Sequence, residues 1–216
     1  ILANVYLHYV LDLWFEKCIK KQLYGEAYLV RFADDFLIMF QYERDAQRVY
    51  EAIIRRMELF GLELSKEKTR ILPFGRNCGT RETFDFLGFT HFNSKTRKGY
   101  YSVGHKISRK KKKQFKSNLK KWVKENRTTQ IDEFMKTLNK KLTGSFNYYS
   151  LNGMIKEVRN LWHHSLLLTF KWLNRRSQRR SFKLERFCEI WKDRIIHPYI
   201  HVDIWSGDKV IYIKNV

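Results

Sequence analysis

The chain has 216 residues, 44% of them hydrophobic, so it can bury a sizeable core and its composition excludes a disordered protein. Lys and Arg number 43 against 22 Asp and Glu, and this net charge of +21 on a folded chain indicates a polyanionic partner, with nucleic acid the first choice. No apolar run approaches the roughly 18 residues of a membrane span, and the three cysteines form no CxxC pair, so we expect a soluble, intracellular protein without a disulfide framework or zinc knuckle.

The first sixty residues predict a helix, a hairpin and a second helix. An apolar stripe predicts a helix that runs to about Lys20. The runs "AYLVRF" and "DFLIMF" are rich in β-branched and aromatic residues and are separated by only two residues, which predicts a tight β-hairpin with Asp34 and Asp35 at its tip. A second stripe from Glu43 to Phe60 predicts another helix, and Gly61 is a typical C-terminal stop. The stripe of the first helix consists of Leu2, Val5, Tyr6, Tyr9, Val10, Leu13 and Trp14.

The next forty residues predict strands. "LELSKEKTRILPF" has the pattern of a strand, a turn and a strand. "TFDFLGFTHF" and "GYYSV" predict two strands joined by the polar turn "NSKTRK". Up to about Val103 the chain therefore alternates between helical and strand patterns.

The chain after Val103 is predicted to be helical. Phe115, Leu119, Trp122 and Val123 mark the apolar face of a strongly basic helix. A second stripe begins at Ile131, and a third helix is predicted from about Met154 to Asn174. The fold class is therefore predicted to be α+β, with an antiparallel sheet and its packed helices followed by an all-α domain of three helices, and the boundary is expected near Gly104.

The acidic pair at the hairpin tip is the most informative local feature. Adjacent carboxylates repel one another unless they are solvated or bind a cation. Hard divalent metals favour carboxylate oxygens, and two ions about 4 Å apart can activate a 3′-hydroxyl and stabilise a pyrophosphate leaving group. An ordinary Asp-rich surface turn is the alternative, but apolar runs flank this pair and the chain is basic. We therefore favour a metal site formed by Asp34 and Asp35.

The basic helix is a candidate phosphate-binding surface. Between Lys106 and Arg127 there are eleven Lys or Arg residues and one acid, Glu125. A solvated lysine face is the simpler interpretation, but such a density of charge repels itself without an anion, so we favour binding to a phosphate backbone with little base specificity. The candidate residues in this helix are Lys110, Lys111, Lys112, Lys113, Lys116 and Lys120.

Clusters of arginine and of histidine are further candidate binding sites. Four arginines after the third helix are further candidates for contact with RNA phosphates, namely Arg175, Arg176, Arg179 and Arg180. The histidines offer two groups for a zinc site, His163 with His164 and His197 with His201 and Asp203. Without cysteines or a second ligand pair, packed or surface histidines are the better interpretation.

The motifs together resemble a known family. "RFADDF" is similar to the [YF]xDD catalytic hairpin of reverse transcriptases, and "LANVYLHYVLDLWFEK" resembles the helix that precedes it in group II intron reverse transcriptase/maturases. "GLELSKEKTRI" and "FDFLGF" resemble the following blocks of that family, and "LTGSFNYY", the helix with "LWHH" and "WLNRRSQRRSF" resemble its thumb, or maturase, domain. The similarity is ordered and extends over nearly the whole chain.

The resemblance implies roles for individual residues. Asp34 is expected to be the ligand common to two Mg²⁺ ions, for which Mn²⁺ is a possible substitute, and Asp35 its partner. Phe32 stands where Tyr is commoner and keeps the aromatic ring against the nucleic acid. Leu87 and Gly88 match the block that supports the primer terminus. Lys68 matches the block behind the hairpin and would stabilise the triphosphate or donate a proton, although an ordinary surface lysine is an equal alternative.

The resemblance also implies an architecture and partners. Residues 1–104 are expected to form the C-terminal part of a reverse transcriptase palm, 105–181 the thumb or maturase domain, and 182–216 a C-terminal extension. The fingers and a third carboxylate are expected upstream of Ile1, so the segment alone should not polymerise. The implied partners are an RNA template, intron RNA, a DNA or RNA primer, deoxynucleoside triphosphates and the N-terminal fingers and palm of the same protein, with no membrane. The implied location is cytoplasmic in bacteria, or an organelle.

Three functions fit these blocks. The first is an RNA-directed DNA polymerase of the group II intron type, which transfers nucleotides to a primer 3′-end by the two-metal mechanism. The second is an RNA-binding maturase or splicing factor in which polymerisation is not essential. The third is a bacterial reverse transcriptase in a defence or CRISPR-associated role. The intact pair of Asp34 and Asp35 favours the first, because a pure binding module gains nothing from two adjacent carboxylates at a hairpin tip.

Overall fold

The structure is a computed structural model that describes residues 1–65, 67–76, 78–151, 153–176 and 182–199. The described residues form two compact units. The first comprises residues 1–87 and 92–103, and the second comprises 88–91 together with the described residues from 104 onward. The predicted α+β class is confirmed. Within the described part of the chain, no helix is both long and apolar enough to cross a membrane.

The first unit begins with a helix that changes its winding. The α-helix α1 (Leu2–Leu7) continues through π-helical turns at His8–Asp12 and Phe15–Ile19 and ends in a 3₁₀ turn at Lys20–Gln22. The predicted apolar face is only partly correct, because a π-helical turn shifts the residues that follow it around the helix. Val10, Leu11 and Phe15 are buried, whereas Leu2, Val5, Tyr6 and Tyr9 are exposed.

The predicted hairpin and second helix are confirmed. Strands β1 (Ala27–Phe32) and β2 (Asp35–Phe40) pair antiparallel, and α2 (Glu43–Leu59) follows. Gly61 has φ +67, and the Leu62 amide donates to the Met57 carbonyl at 2.9 Å, which is the Schellman ending that glycine allows. The core of this unit contains Val10, Leu11, Phe15, Ala27, Val49, Ile53 and Met57.

Two strand predictions are wrong. The described residues between 62 and 74 contain no strand, and the segment instead turns at Ser65, whose carbonyl accepts the Thr69 hydroxyl at 2.8 Å. "TFDFLGFTHF" is two strands, because Leu87 and Gly88 form a turn between β3 (Thr83–Phe86) and β4 (Phe89–Lys95). β5 (Tyr101–Ile107) completes a three-stranded sheet in the order β3-β4-β5.

The second unit is mainly helical, and its three predicted helices are confirmed. They are α3 (Arg109–Asn126), α4 (Ile131–Tyr149) and α5 (Ile155–Leu173). A further helix, α6 (Leu184–Trp191), was not predicted, and it buries Phe187 in the same core. That core contains Leu119, Val123, Phe134, Met135, Leu138, Leu142, Phe146, Val158, Trp162, Leu166, Leu168, Trp172, Leu173, Phe187 and Ile195.

Truncation of Leu142 tests this core. Leu142 is fully buried, so Leu142→Ala should lower the free energy of unfolding by about 2–5 kcal/mol, through lost burial and the cavity that remains. Leu167 on α5 is 50% exposed and is the matched control, whose replacement by Ala should change stability by only about 0.5 kcal/mol. Denaturant titration followed by tryptophan fluorescence measures both, and equal losses would contradict the packing described.

Candidate active site and nucleic-acid surface

The acidic pair lies at the end of the β1–β2 hairpin. The register pairs Phe32 with Asp35, which leaves Ala33 and Asp34 as the two turn residues. Ala33 has φ +55, and a positive φ at the first of two turn residues is the sign of a type II′ turn. This turn type fits the right-handed twist of the strands but favours glycine, so Ala33 holds a strained conformation of the kind that concentrates at functional sites.

Both carboxylates are available for a ligand. Asp34 and Asp35 are exposed, and among the described residues neither side chain has a hydrogen-bond or ion-pair partner. Two unpaired carboxylates side by side are a suitable donor set for Mg²⁺, which prefers hard oxygen ligands and retains several waters. The described residues contain no group of three or more His, Cys, Asp or Glu side chains placed to hold a metal. Asp34 and Asp35 therefore fit the expected Mg²⁺ as a pair of carboxylate ligands.

An aromatic ring stands beside the acidic pair. Phe32 is 65% exposed and lies on the same outer face of β1 as Tyr28 and Val30, which are also exposed. Strand alternation puts these three side chains on the opposite face from Leu29 and Arg31. The ring is therefore open to contact with a ligand at the tip.

Arg31 ties the turn to the first helix. Its Nε and Nη2 donate to Oδ1 and Oδ2 of Asp12 at 2.7 and 2.6 Å, and its Nη1 donates to the carbonyl of Ala33 at 2.8 Å. Hydrogen bonding by Arg31 lowers the pKa of the Asp12 carboxyl below 3.8, against the opposing effect of burial, and the same bond raises the pKa of Arg31. The sequence analysis did not predict the ion pair of Arg31 and Asp12. The sequence pattern that could have indicated it is an arginine at an inward-facing position of a strand.

Lys68 is not brought to the acidic pair by a direct contact. It is exposed in the turn that follows Ser65, where its backbone amide donates to the Ser65 carbonyl at 3.1 Å. No ion pair of Lys68 with Asp34 or Asp35 occurs among the described residues. Its predicted contact with a triphosphate stays a prediction.

Leu87 and Gly88 form the turn between β3 and β4. Both residues have positive φ, +49 and +81, which is the pattern of a type I′ hairpin turn. A Cβ on Gly88 would lie 3.4 Å from the Tyr149 hydroxyl and 3.5 Å from Cγ of Lys111. Both distances are ordinary van der Waals contacts, so the left-handed conformation, and not a lack of space, is what favours glycine here.

The lysines of α3 form an exposed row. Ser108 begins the helix, and its hydroxyl accepts the Lys111 amide at 3.4 Å. Leu119 and Val123 bury the opposite face. Lys112 differs from its neighbours, because it is half-buried and forms an ion pair with Glu157. The predicted lysines that remain exposed are Lys110, Lys111, Lys113, Lys116 and Lys120.

The described arginines after α5 have protein contacts of their own. The guanidinium of Arg175 lies 5.4 Å from the ring centre of Trp172, and Arg127 lies 5.6 Å from the same ring. Arg176 donates to the carbonyl of Thr129. Arg179 and Arg180 lie outside the described residues.

The histidines give no support for zinc within the described chain. His197 stacks on Trp162 at 4.9 Å between ring centres, and burial together with nearby Lys116 lowers the pKa of His164. A lowered pKa keeps an imidazole neutral, but no third ligand adjoins it in the described part of the chain. His201 and Asp203 lie outside the described residues.

Two family models match the chain in sequence order. Residues 1–91 match the model for reverse transcriptase (RNA-dependent DNA polymerase). Residues 112–188 match the model for the maturase-specific domain of group II introns. Among curated proteins, no sequence matches the chain.

A reverse transcriptase region with a paired-aspartate hairpin defines the class of protein, an enzyme of the reverse transcriptase type. The maturase-specific domain that follows makes the assignment more specific. The chain belongs to the group II intron reverse transcriptase/maturase family, as its motifs predict. Its two matched regions imply binding to template RNA and intron RNA, and reverse transcriptases as a family use divalent metals.

The ion pair of Asp12 and Arg31 gives a testable dependence on pH. The folded-state pKa of Asp12 lies below 3.8, so the stability that the pair contributes is complete above that pH and is lost as the pH falls through the folded value. We expect the wild type to exceed Asp12→Asn in free energy of unfolding at pH 6, and the difference to shrink below about pH 4. Denaturant titrations at several pH values measure it. A difference that grows as the pH falls would contradict the assignment.

Proposed function

We propose that Asp34 and Asp35 are two of the metal ligands of an RNA-directed DNA polymerase that extends a primer 3′-end on an RNA template. The observation that carries this proposal is the end of the hairpin, where Asp34 in the turn and Asp35 at the start of β2 are exposed and unpaired within the region that matches reverse transcriptases. Two magnesium ions bound there would activate the primer hydroxyl and stabilise the leaving pyrophosphate. Manganese would be the natural substitute.

The chain's own residues would position the substrates. The exposed Phe32 ring would pack against the nucleotide or primer at the tip, and Lys68 would neutralise charge on the deoxynucleoside triphosphate. Leu87 and Gly88 would support the primer terminus through their hairpin turn, in which both residues hold a positive φ. A third carboxylate and the nucleotide-gripping fingers would come from a part of the protein outside this chain, so this segment alone would be inactive.

We assign residues 1–104 to the C-terminal part of the palm, 105–181 to the thumb or maturase domain and 182–216 to a C-terminal extension. The thumb would track the phosphate backbone with the exposed lysines of α3, and Arg175, Arg176, Arg179 and Arg180 would add contacts to intron RNA. Contacts to phosphates hold a duplex of any sequence, which a polymerase needs as it advances. The bacterial cytoplasm, or an organelle, would be the site of action.

A maturase role that does not need polymerisation is the second candidate. The exposed lysine row of α3 favours it, because this surface can bind folded intron RNA without the acidic pair. The two roles differ in their dependence on Asp34.

Replacement of one carboxylate tests the metal assignment. In the full-length protein, Asp34→Asn should lower magnesium-dependent primer extension by about 1,000-fold or more, since an amide is neutral and binds Mg²⁺ poorly. Glu58→Gln, an exposed carboxylate of α2, makes the same chemical change away from the tip and should leave extension unchanged. Retention of extension by Asp34→Asn would overturn the polymerase assignment, and intron RNA binding should survive in either case.

Neutralisation of lysines tests the RNA surface. Lys110→Gln with Lys113→Gln should weaken RNA binding and reduce the slope of log affinity against log salt by about 1.4–1.8, because each lost phosphate contact removes about 0.7–0.9. Lys136→Gln with Lys140→Gln removes the same charge from exposed positions of α4 and is the control. Binding is measured by filter retention of a structured RNA at several salt concentrations. An equal change in the two double variants would reject α3 as the specific surface.

A further inference from the structure

The guanidinium of Arg31 connects the first helix to the hairpin turn that contains Ala33 and Asp34. Two of its nitrogens donate to both oxygens of Asp12 at 2.7 and 2.6 Å, on the first helix. The third, Nη1, donates to the carbonyl of Ala33 at 2.8 Å and to Oδ1 of Asn4 at 3.3 Å. One planar side chain therefore connects a helix to the turn that carries the acidic pair.

The helix end of this connection is rigidly placed. Asp12 is the last residue of the π-helical turn His8–Asp12, and its neighbours Val10 and Leu11 are buried in the core of the unit. The Arg31 side chain is only 13% exposed, so little solvent competes for its bonds. A bidentate arginine–carboxylate contact fixes direction as well as distance.

The turn end is the part that needs support. Ala33 holds φ +55, a conformation that glycine adopts freely and alanine does not. The peptide bond is planar, so a hydrogen bond to the carbonyl of Ala33 also orients the amide of Asp34. The hydrogen bond from Arg31 therefore orients the peptide that leads directly to Asp34.

We propose that Arg31, held by Asp12, is a positioning residue that fixes the strained Ala33–Asp34 turn and so sets the direction of the Asp34 carboxylate. The inference rests on the proposed metal role of Asp34. A simple stabilising ion pair is the competing explanation, and it predicts loss of stability without a specific effect on the metal or on turnover.

Arg31→Lys separates the two explanations. Lysine keeps the charge, but its single ammonium cannot occupy both Asp12 oxygens and the Ala33 carbonyl with the planar fork of arginine. In the full-length protein, we expect kcat for primer extension to fall about 10- to 100-fold, since a misplacement of about 1 Å at a reacting centre costs on the order of 100-fold. The KM for the deoxynucleoside triphosphate should change little. Arg55→Lys is the control, because Arg55 forms an exposed pair with Glu51 on α2, away from the turn.

A second substitution tests the link to the turn itself. Glycine at position 33 removes the strain that Arg31 is proposed to hold, so Arg31→Lys made in an Ala33→Gly background should lose no more than about threefold in kcat relative to Ala33→Gly alone. A loss as large as that in the wild-type background would overturn the proposal. Thermal unfolding of each variant checks that it is folded, and Asp12→Asn, which is isosteric, replaces Arg31→Lys in the same comparison if Arg31→Lys does not fold.

Metal binding gives a readout that does not depend on catalysis. Fe²⁺ bound in place of Mg²⁺ cleaves the nearby chain when ascorbate and peroxide are added, and the concentration for half-maximal cleavage at the hairpin should rise with Arg31→Lys and recover with Ala33→Gly. Asp34→Asn, run in parallel, tests the proposed function alone. If Asp34→Asn removes both cleavage and extension while Arg31→Lys behaves as Arg55→Lys does, the positioning role is wrong and the metal role stands. If Asp34→Asn changes neither, the metal role itself fails.

Discussion

The register of the β1–β2 hairpin is the constraint on which the candidate active site depends. Ala27 is fully buried against Val10, Leu11 and Phe15 of the first helix, and the pairing that begins with Ala27 and Phe40 runs without interruption to Phe32 and Asp35. A slip of one residue would turn every side chain of a strand to the other face. Burial at one end of the hairpin therefore decides which two residues form the turn at the other end.

In the second unit, helix α3 buries one face in the core and carries positive charge on the other. α3 packs through Leu119 and Val123, and five of its lysines away from that face are exposed, namely Lys110, Lys111, Lys113, Lys116 and Lys120. The one that is half-buried, Lys112, is neutralised by Glu157. The contact with Glu157 therefore distinguishes Lys112 from the exposed lysines of the same helix.

Sequence patterns predicted most helices and strands, including the hairpin that carries Asp34 and Asp35, and they failed where the backbone departs from regular geometry. The turn at Leu87 and Gly88 was not predicted, because the strand pattern continues on both sides of it and leucine rarely takes a positive φ. The π-helical turns changed which face of the first helix is buried. The segment from 62 to 74 has strand-like residues but no partner strand in the described structure, and helix α6 lies in a region dominated by charge.

The sequence alone determined the family, the acidic hairpin and the basic helix, because each depends on residue type and on spacing within a short segment. Only the tertiary structure decided that Ala33 occupies a left-handed conformation, that Arg31 bonds both Asp12 and the Ala33 carbonyl, and that Lys112 is paired while its neighbours are not. The reason is physical: these features join residues that are 19 and 45 positions apart, or depend on backbone torsion, and local periodicity carries no information on either.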